Sequence, residues 1–209
     1  MAELPLFPLQ SVLFPGGELR LKVFEARYLE WMGTGLRQPT RFGVVNLKRG
    51  TEVQRPDSTE AVLESVGVAA NLEDVDVPQA GIMLLRARGM QRFRIQSTSR
   101  RDNGLWVAQV VLIEGDDAVQ PESAHAATVA ALGQALARLR EMGEANQLGG
   151  QGPTDSEPAQ MQNAGWVANR WCELLPIPVA AKQSLMELQD PLVRLSLVDR
   201  YLRDKGVVA

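Results

Sequence analysis

The sequence predicts an α+β fold, with a β-rich lobe over residues 1–117 and a helical bundle over 118–209. Three observations predict it. Short apolar runs with period-two alternation fill the first half, separated by Gly, Pro, Asp or Asn. One helical period interrupts them, which argues for a small barrel or sandwich and against repeated βαβ units. After Asp117 the apolar spacing becomes three and four residues, the period of packed helices.

The first element is the run from Leu4 to Gly17, which has no charge but carries Pro5, Pro8, Pro15 and the pair Gly16-Gly17. Prolines at these places break an apolar helix. Glu3 stands where a secretory signal needs positive charge, and the run is shorter than the roughly 20 apolar residues of a membrane span. It therefore reads as strands joined by a Pro-Gly-Gly turn. ELRLKVF follows with Leu19, Leu21 and Val23 on one side and Arg20 and Lys22 on the other, a half-buried strand. Phe24, Tyr28, Met32 and Leu36 then recur every four residues, predicting one helix from about Glu25 to Leu36.

Between 41 and 115, RFGVVNLKRG, ESVGVAANLEDVDV, GIMLLRAR, QRFRIQSTS and LWVAQVVLIE each read as a strand, with GMQ (89–91) as a hairpin turn between the third and fourth. Beyond Asp117, Val129, Leu132, Leu136 and Leu139 form the stripe of a helix over Pro121–Met142. GEANQLGGQGPTDSEP is rich in Gly and poor in large apolar residues, so residues near 144–157 read as a mobile loop. A second helix starts at Pro158 and turns Met161, Ala164, Ala168, Trp171 and Leu175 inward. A third runs from about Pro178 to Leu188. Asp190-Pro191 supplies the N-cap and first position of a fourth, striped by Leu192, Leu195, Val198 and Leu202.

Composition and motifs exclude several function classes. With 45% hydrophobic and 22% charged residues the chain is an ordinary globular protein, and its net charge of −3 is not that of a basic nucleic-acid module. One Cys and one His cannot build a disulfide framework or a Cys/His zinc cluster. No hydrolase or NTPase signature occurs, and no cofactor motif. His125 reads as a surface residue of an alanine-rich helix, and Cys172 beside Trp171 as a small core residue. Glu73, Asp74 and Asp76 lack calcium-loop spacing and read as a solvated strand edge. With no export signal, the cytoplasm is the expected address.

One cluster points elsewhere. RARGMQRFRIQSTSRR holds Arg86, Arg88, Arg92, Arg94, Arg100 and Arg101 without an acid. If GMQ turns a hairpin, Arg86, Arg88, Arg92 and Arg94 share a face that could contact RNA phosphates. The other reading of that face is the solvated outside of an amphipathic hairpin.

Four segments, in order, carry a family resemblance. LPLFPLQSVLFPGGELRLKVFEARYLEWM resembles the opening of the Lon protease N-terminal domain, including its F-E-x-R-Y. FGVV (42–45) is similar to the next strand. LLRARGMQRFRI (84–95) resembles L-x-G-x-x-R-F-x-I, departing from it at Ala87-Arg88. WCELLPIPVAAKQSLMELQDPLVRLSLV (171–198) resembles the helical part, with its K-Q and D-P-x-x-R-L. The resemblance implies a PUA-like pseudobarrel with one packed helix, then a helical bundle with Trp171 at its centre. It implies a stand-alone, non-enzymatic protein-interaction module, lacking Lon's ATPase and protease domains. Such a module would hold apolar segments of unfolded or damaged proteins, needs no cofactor or metal, and could act with an ATP-dependent protease. The alternative is an RNA-binding module using the arginines. Under the first reading some apolar side chains must stay exposed where turns interrupt the pattern. Leu13, Phe14, Trp31 and Met90 are the expected peptide-binding residues, with Leu13 and Phe14 equally readable as core.

Overall fold

The structure is a computed structural model and describes residues 2–35, 41–50, 52, 61–145 and 157–209. The loop expected near 144–157 lies largely outside the described residues. The chain divides into two compact units, Met1–Gly115 with Pro178–Glu187, and Asp116–Ile177 with Leu188–Ala209. Two consecutive lobes meeting at 117 were expected; the short helix 179–187 instead belongs with the strands.

The first unit contains β1 (Ala2–Leu9), β2 (Glu18–Val23), α1 (Ala26–Gly35), β3 (Arg41–Arg49), β4 (Val62–Leu63), β5 (Val66–Gln79), β6 (Ile82–Arg100) and β7 (Trp106–Leu112). The strand order is β1-β7-β6-β5-β3-β4, and a parallel pairing of β1 with β3 closes the path into a barrel. Closure leaves few bare edges. Leu4 and Leu6 of β1 meet Val45, Ala69, Phe93, Ala108 and Val110 in one buried cluster. β3 is buried on both faces from Phe42 to Leu47, because α1 covers one of them.

The F-E-x-R-Y motif now has a physical reading. Tyr28 stacks on Phe7 at 3.9 Å, and Trp31 packs edge-on to Phe7 and Phe42 at 6.2 and 6.0 Å. Arg27 is buried, pairs with Glu25 at 2.7 Å and donates to the Gly104 carbonyl at 3.4 Å. Phe24 departs from the expected helix stripe. It precedes α1 and is 55% exposed.

Burial, opposed by the neighbouring Arg27 cation, pushes the Tyr28 phenol up from 10.0 to about 12. A folded-state pKa above the unfolded one means the native state holds its proton more tightly. The associated stability is complete below pH 10 and is lost as pH rises towards 12, by about 3 kcal/mol at roughly 1.4 kcal/mol per unit. Urea midpoints measured at pH 9 and pH 11.5 should therefore fall more for the wild type than for Tyr28→Phe, which has no proton to lose. Equal falls would contradict this reading of the ring's burial.

The turn and β6 hold two corrections. Gly16 has φ 78° and the Gly17 N–H donates to the Phe14 carbonyl at 2.9 Å, so Phe14-Pro15-Gly16-Gly17 is a type II turn, as its residues demand. GMQ, however, is no turn. β6 runs unbroken through it, and the β5–β6 turn lies at Ala80-Gly81, where Gly81 takes φ 82°. Gly89 serves close approach instead. Its N–H donates to the Gly17 carbonyl at 2.8 Å, its carbonyl accepts from Gly16 at 2.7 Å, and a Cβ on it would lie 2.4 Å from the Phe14 carbonyl oxygen. The turn thus presses Leu13 and Phe14 against β6, and both are buried. Their expected exposure does not hold; they are core.

Helix α5 (Val179–Glu187) completes this unit. Gln183 donates to the Val66 carbonyl at 3.0 Å, and Arg92 donates to the Met186 carbonyl at 3.2 Å. These bonds satisfy a strand carbonyl that α5 covers and one of α5's own last carbonyls.

The second unit contains a 3-10 turn (Ser123–His125), α2 (Ala126–Ala145), α3 (Glu157–Gln160), α4 (Ala164–Leu174) and α6 (Pro191–Asp204). The helix expected from Pro158 is broken before Ala164, because the Asn163 side chain accepts from the Trp166 N–H at 3.0 Å and caps a new start. Asp190 caps α6 through the Leu192 and Val193 N–H groups at 2.9 and 3.1 Å, with Pro191 in the first turn. Leu132, Leu136, Ala168, Trp171, Cys172, Leu195, Val198 and Leu202 are buried, and the Trp171 indole donates to the Thr128 carbonyl at 3.0 Å. Leu139, expected on the stripe, is exposed. His125 is corrected too. It is buried, with Nε2 3.2 Å from the Ser196 hydroxyl. Among the described residues no helix is long and apolar enough to cross a membrane.

Candidate functional site

The candidate site follows from an irregularity in β6. Opposite β5, Val68 pairs Arg92 while Ala70 pairs Gly89, so two β6 residues face the single β5 residue Ala69. Met90 and Gln91 occupy this bulge. A bulge breaks the inside-outside alternation and re-aims a side chain. Met90 projects outward and is 44% exposed. Leu112, at the end of β7 opposite Phe93, is 39% exposed.

These two side chains line one cleft of about 360 Å³, together with Gly16, Gly89, Arg41 and Arg88. Gly16 of the turn and Gly89 of β6 wall it with bare backbone, since neither carries a side chain. Gln91 is tied by a 2.7 Å bond to the Ile113 carbonyl, which fixes β7's end beside the bulge. The cleft thus offers a Met and a Leu on rigid strands, beside two arginines. Methionine's unbranched, polarizable side chain suits contacts with varied apolar partners.

The arginines are unequal. Arg88 is neutralised by Glu73 at 2.7 Å and Glu18 at 3.7 Å, and also donates to the Gly16 carbonyl at 3.3 Å. Arg41, in register with Asn71, donates through Nε to the Asn71 side-chain oxygen at 3.2 Å and forms no ion pair among the described residues.

A smaller groove of about 90 Å³ lies in the same unit, lined by Phe7, Leu9, Leu21, Val23, Phe24 and Tyr28 together with Lys22, Glu25 and Glu52. Phe24 stands exposed at it.

The structure sorts the sequence candidates as follows. Met90 lines the cleft, though from a mid-strand bulge and not from a hairpin tip. Leu13 and Phe14 lie beneath it as core. Trp31 sits apart, half-buried in the aromatic cluster on α1. Arg86, Arg88, Arg92 and Arg94 do not form one open basic face. Asp74 stands in register with Arg86, 3.9 Å from it, and Glu73 holds Arg88. Arg92 is buried against α5. Arg94 is exposed. Glu73 and Asp74, read as part of a solvated strand edge, are therefore the partners of Arg88 and Arg86.

Sequence reasoning missed Arg41, Leu112 and Phe24. Arg41 and Leu112 lie 71 positions apart and are brought together by barrel closure, for which no local pattern exists. Phe24 had a signal, the turn between strand and helix, but its spacing to Tyr28 mimicked a helix face.

Comparison with known proteins places the chain. No curated protein matches the chain. A Lon N-terminal domain protein from Xanthomonas campestris, solved by crystallography, is 31% identical with a TM-score of 0.71, over 96% of this chain and 99% of that one. The N-terminal domain of a Mycobacterium avium complex Lon protease is similar in fold, at 16% identity and a TM-score of 0.62, over 97% of this chain and 99% of that one. The family model of the ATP-dependent protease La (LON) substrate-binding domain matches residues 3–204. The chain belongs to the LON substrate-binding domain family.

Proposed function

We propose that the protein is a non-enzymatic substrate-recognition module of the cytoplasm that holds apolar segments of unfolded or damaged proteins, and that it delivers them to an ATP-dependent protease. The family's substrate-binding character supports the class of function. The observation that carries the finer reading is the pair Met90 and Leu112, two exposed apolar side chains on rigid strands at the rim of one cleft. Grouped apolar exposure of this kind marks interaction sites more often than scattered single residues do. The arginine run gives an RNA reading no comparable surface, because Glu73, Asp74 and Glu18 meet it.

Met90→Ser combined with Leu112→Ser should leave the fold within about 1 kcal/mol of the wild type, as exposed sites do. Binding of reduced casein should weaken at least about tenfold, which is roughly 1.4 kcal/mol. Unchanged casein affinity in the variant, or no casein binding by the wild type, would remove this cleft as the client site.

A further inference from the structure

We infer that the Met90 cleft selects apolar chain ends, with the terminal carboxylate of the client seated on Arg41. The inference rests on the client-holding reading above and narrows its substrate class.

Charge complementarity carries it. Of the two arginines in the cleft, Arg88 already has Glu73 and Glu18 within 3.7 Å. Arg41 has a neutral partner, the Asn71 side-chain oxygen, which takes its Nε–H at 3.2 Å. That bond fixes the guanidinium's orientation while the Nη groups keep the forked donor geometry that suits a carboxylate. The same small space presents Met90 and Leu112. Its occupant should therefore carry an apolar group and a carboxylate close together.

Size and strand geometry decide between the sources of that carboxylate. A cleft of about 360 Å³ is at the lower end of ligand-site volumes and fits a short end better than a through-running segment. In an extended internal segment, adjacent side chains point to opposite faces. An acidic residue beside an apolar one would then turn its carboxylate away from the cleft that takes its neighbour. A C-terminal residue carries both groups on one Cα. Recognition of a chain end by its carboxylate is also a recurrent peptide-binding mode.

The test uses the full chain and three fluorescent nonapeptides of one sequence ending Leu-Val. The first has a free C-terminus, the second a C-terminal amide, and the third is amidated with Glu replacing the residue before Leu-Val. Fluorescence anisotropy gives Kd for the wild type, Arg41→Gln and Met90→Ser. The free acid should bind wild type about tenfold tighter than either amide. Arg41→Gln should erase that difference by weakening the free acid alone, while Met90→Ser weakens all three. Equal binding of acid and amide, both weakened by Met90→Ser, would overturn the carboxylate inference and leave the apolar reading standing. Rescue of affinity by the Glu peptide would assign the carboxylate to a side chain and overturn the chain-end inference. No binding of any peptide by a folded wild type would overturn both readings.

Discussion

Replacing Arg194 by methionine should destabilise the second unit by about 3–5 kcal/mol, the cost of stranding one partner of a buried ion pair. Arg194 is the arginine of D-P-x-x-R-L and is almost wholly buried. Its Nη1 donates to the Asp116 carboxylate at 2.6 Å and to the Asn169 side-chain oxygen at 3.0 Å. Its Nη2 donates to the other Asp116 oxygen at 3.2 Å and to the Leu188 carbonyl. One guanidinium thus joins the start of the unit, α4, and the chain entering α6. Methionine fills much of the space but leaves a carboxylate, an amide oxygen and a carbonyl without these donors. Urea unfolding should show a large fall in midpoint. Asp116→Ala should cost a similar amount, and the double variant much less than the sum, because the two share one interaction. Additive losses would show that the pair is not the unit's keystone.

The same residue shows how much of the fold the sequence carries. Asp190-Pro191 announced a helix start, and the cap forms as the residue types require. Nothing local announced that Arg194, three residues inside that helix, would find Asp116, 78 positions earlier. Gly165 gives the complementary half: a Cβ there would lie 2.8 Å from the Asp116 carboxylate, so the glycine makes room for the pair. A single sequence shows the arginine and the glycine but not their relation.

Periodicity was legible where an element faces one environment. Leu195, Val198 and Leu202 are buried as their spacing requires, and so are Tyr28 and Met32. It failed where an element changes environment along its length. α2 outruns its core, so Leu139 is exposed although Leu132 and Leu136 are not. β6 reads as two strands because Gly89 resembles a turn residue. It is one strand because the glycine admits the Phe14 backbone. The candidate site suffered most, since it depends on that bulge. Met90 was legible as an apolar residue out of pattern, whereas the partners Leu112 and Arg41 are products of closure.

The second large effect is expected at Phe93, which follows the bulge and is fully buried. Its ring lies over two glycines on neighbouring strands. A Cβ on Gly43 would meet the ring tip at 2.7 Å, and a Cβ on Gly67 would meet it at 2.6 Å. Their missing side chains form the slot that the ring fills, which offsets the usual weakness of glycine within strands. Phe93→Ala should cost about 3–5 kcal/mol, since it leaves a cavity that a closed barrel cannot collapse. Gly43→Ala should cost about 1–3 kcal/mol by overpacking against Phe93 and the Leu6 side chain. The pair should be strongly non-additive: with the ring trimmed by Phe93→Leu, the added methyl at position 43 gains space and its penalty should shrink. Gly67→Ala gives the contrast, because there a Cβ also meets the Val44 carbonyl oxygen at 2.4 Å, and backbone cannot step aside as a ring tip can. Its penalty should persist in the Phe93→Leu background. Chemical denaturation of the two double-mutant cycles separates these cases. Relief at both glycines, or at neither, would show that the ring does not govern the slot.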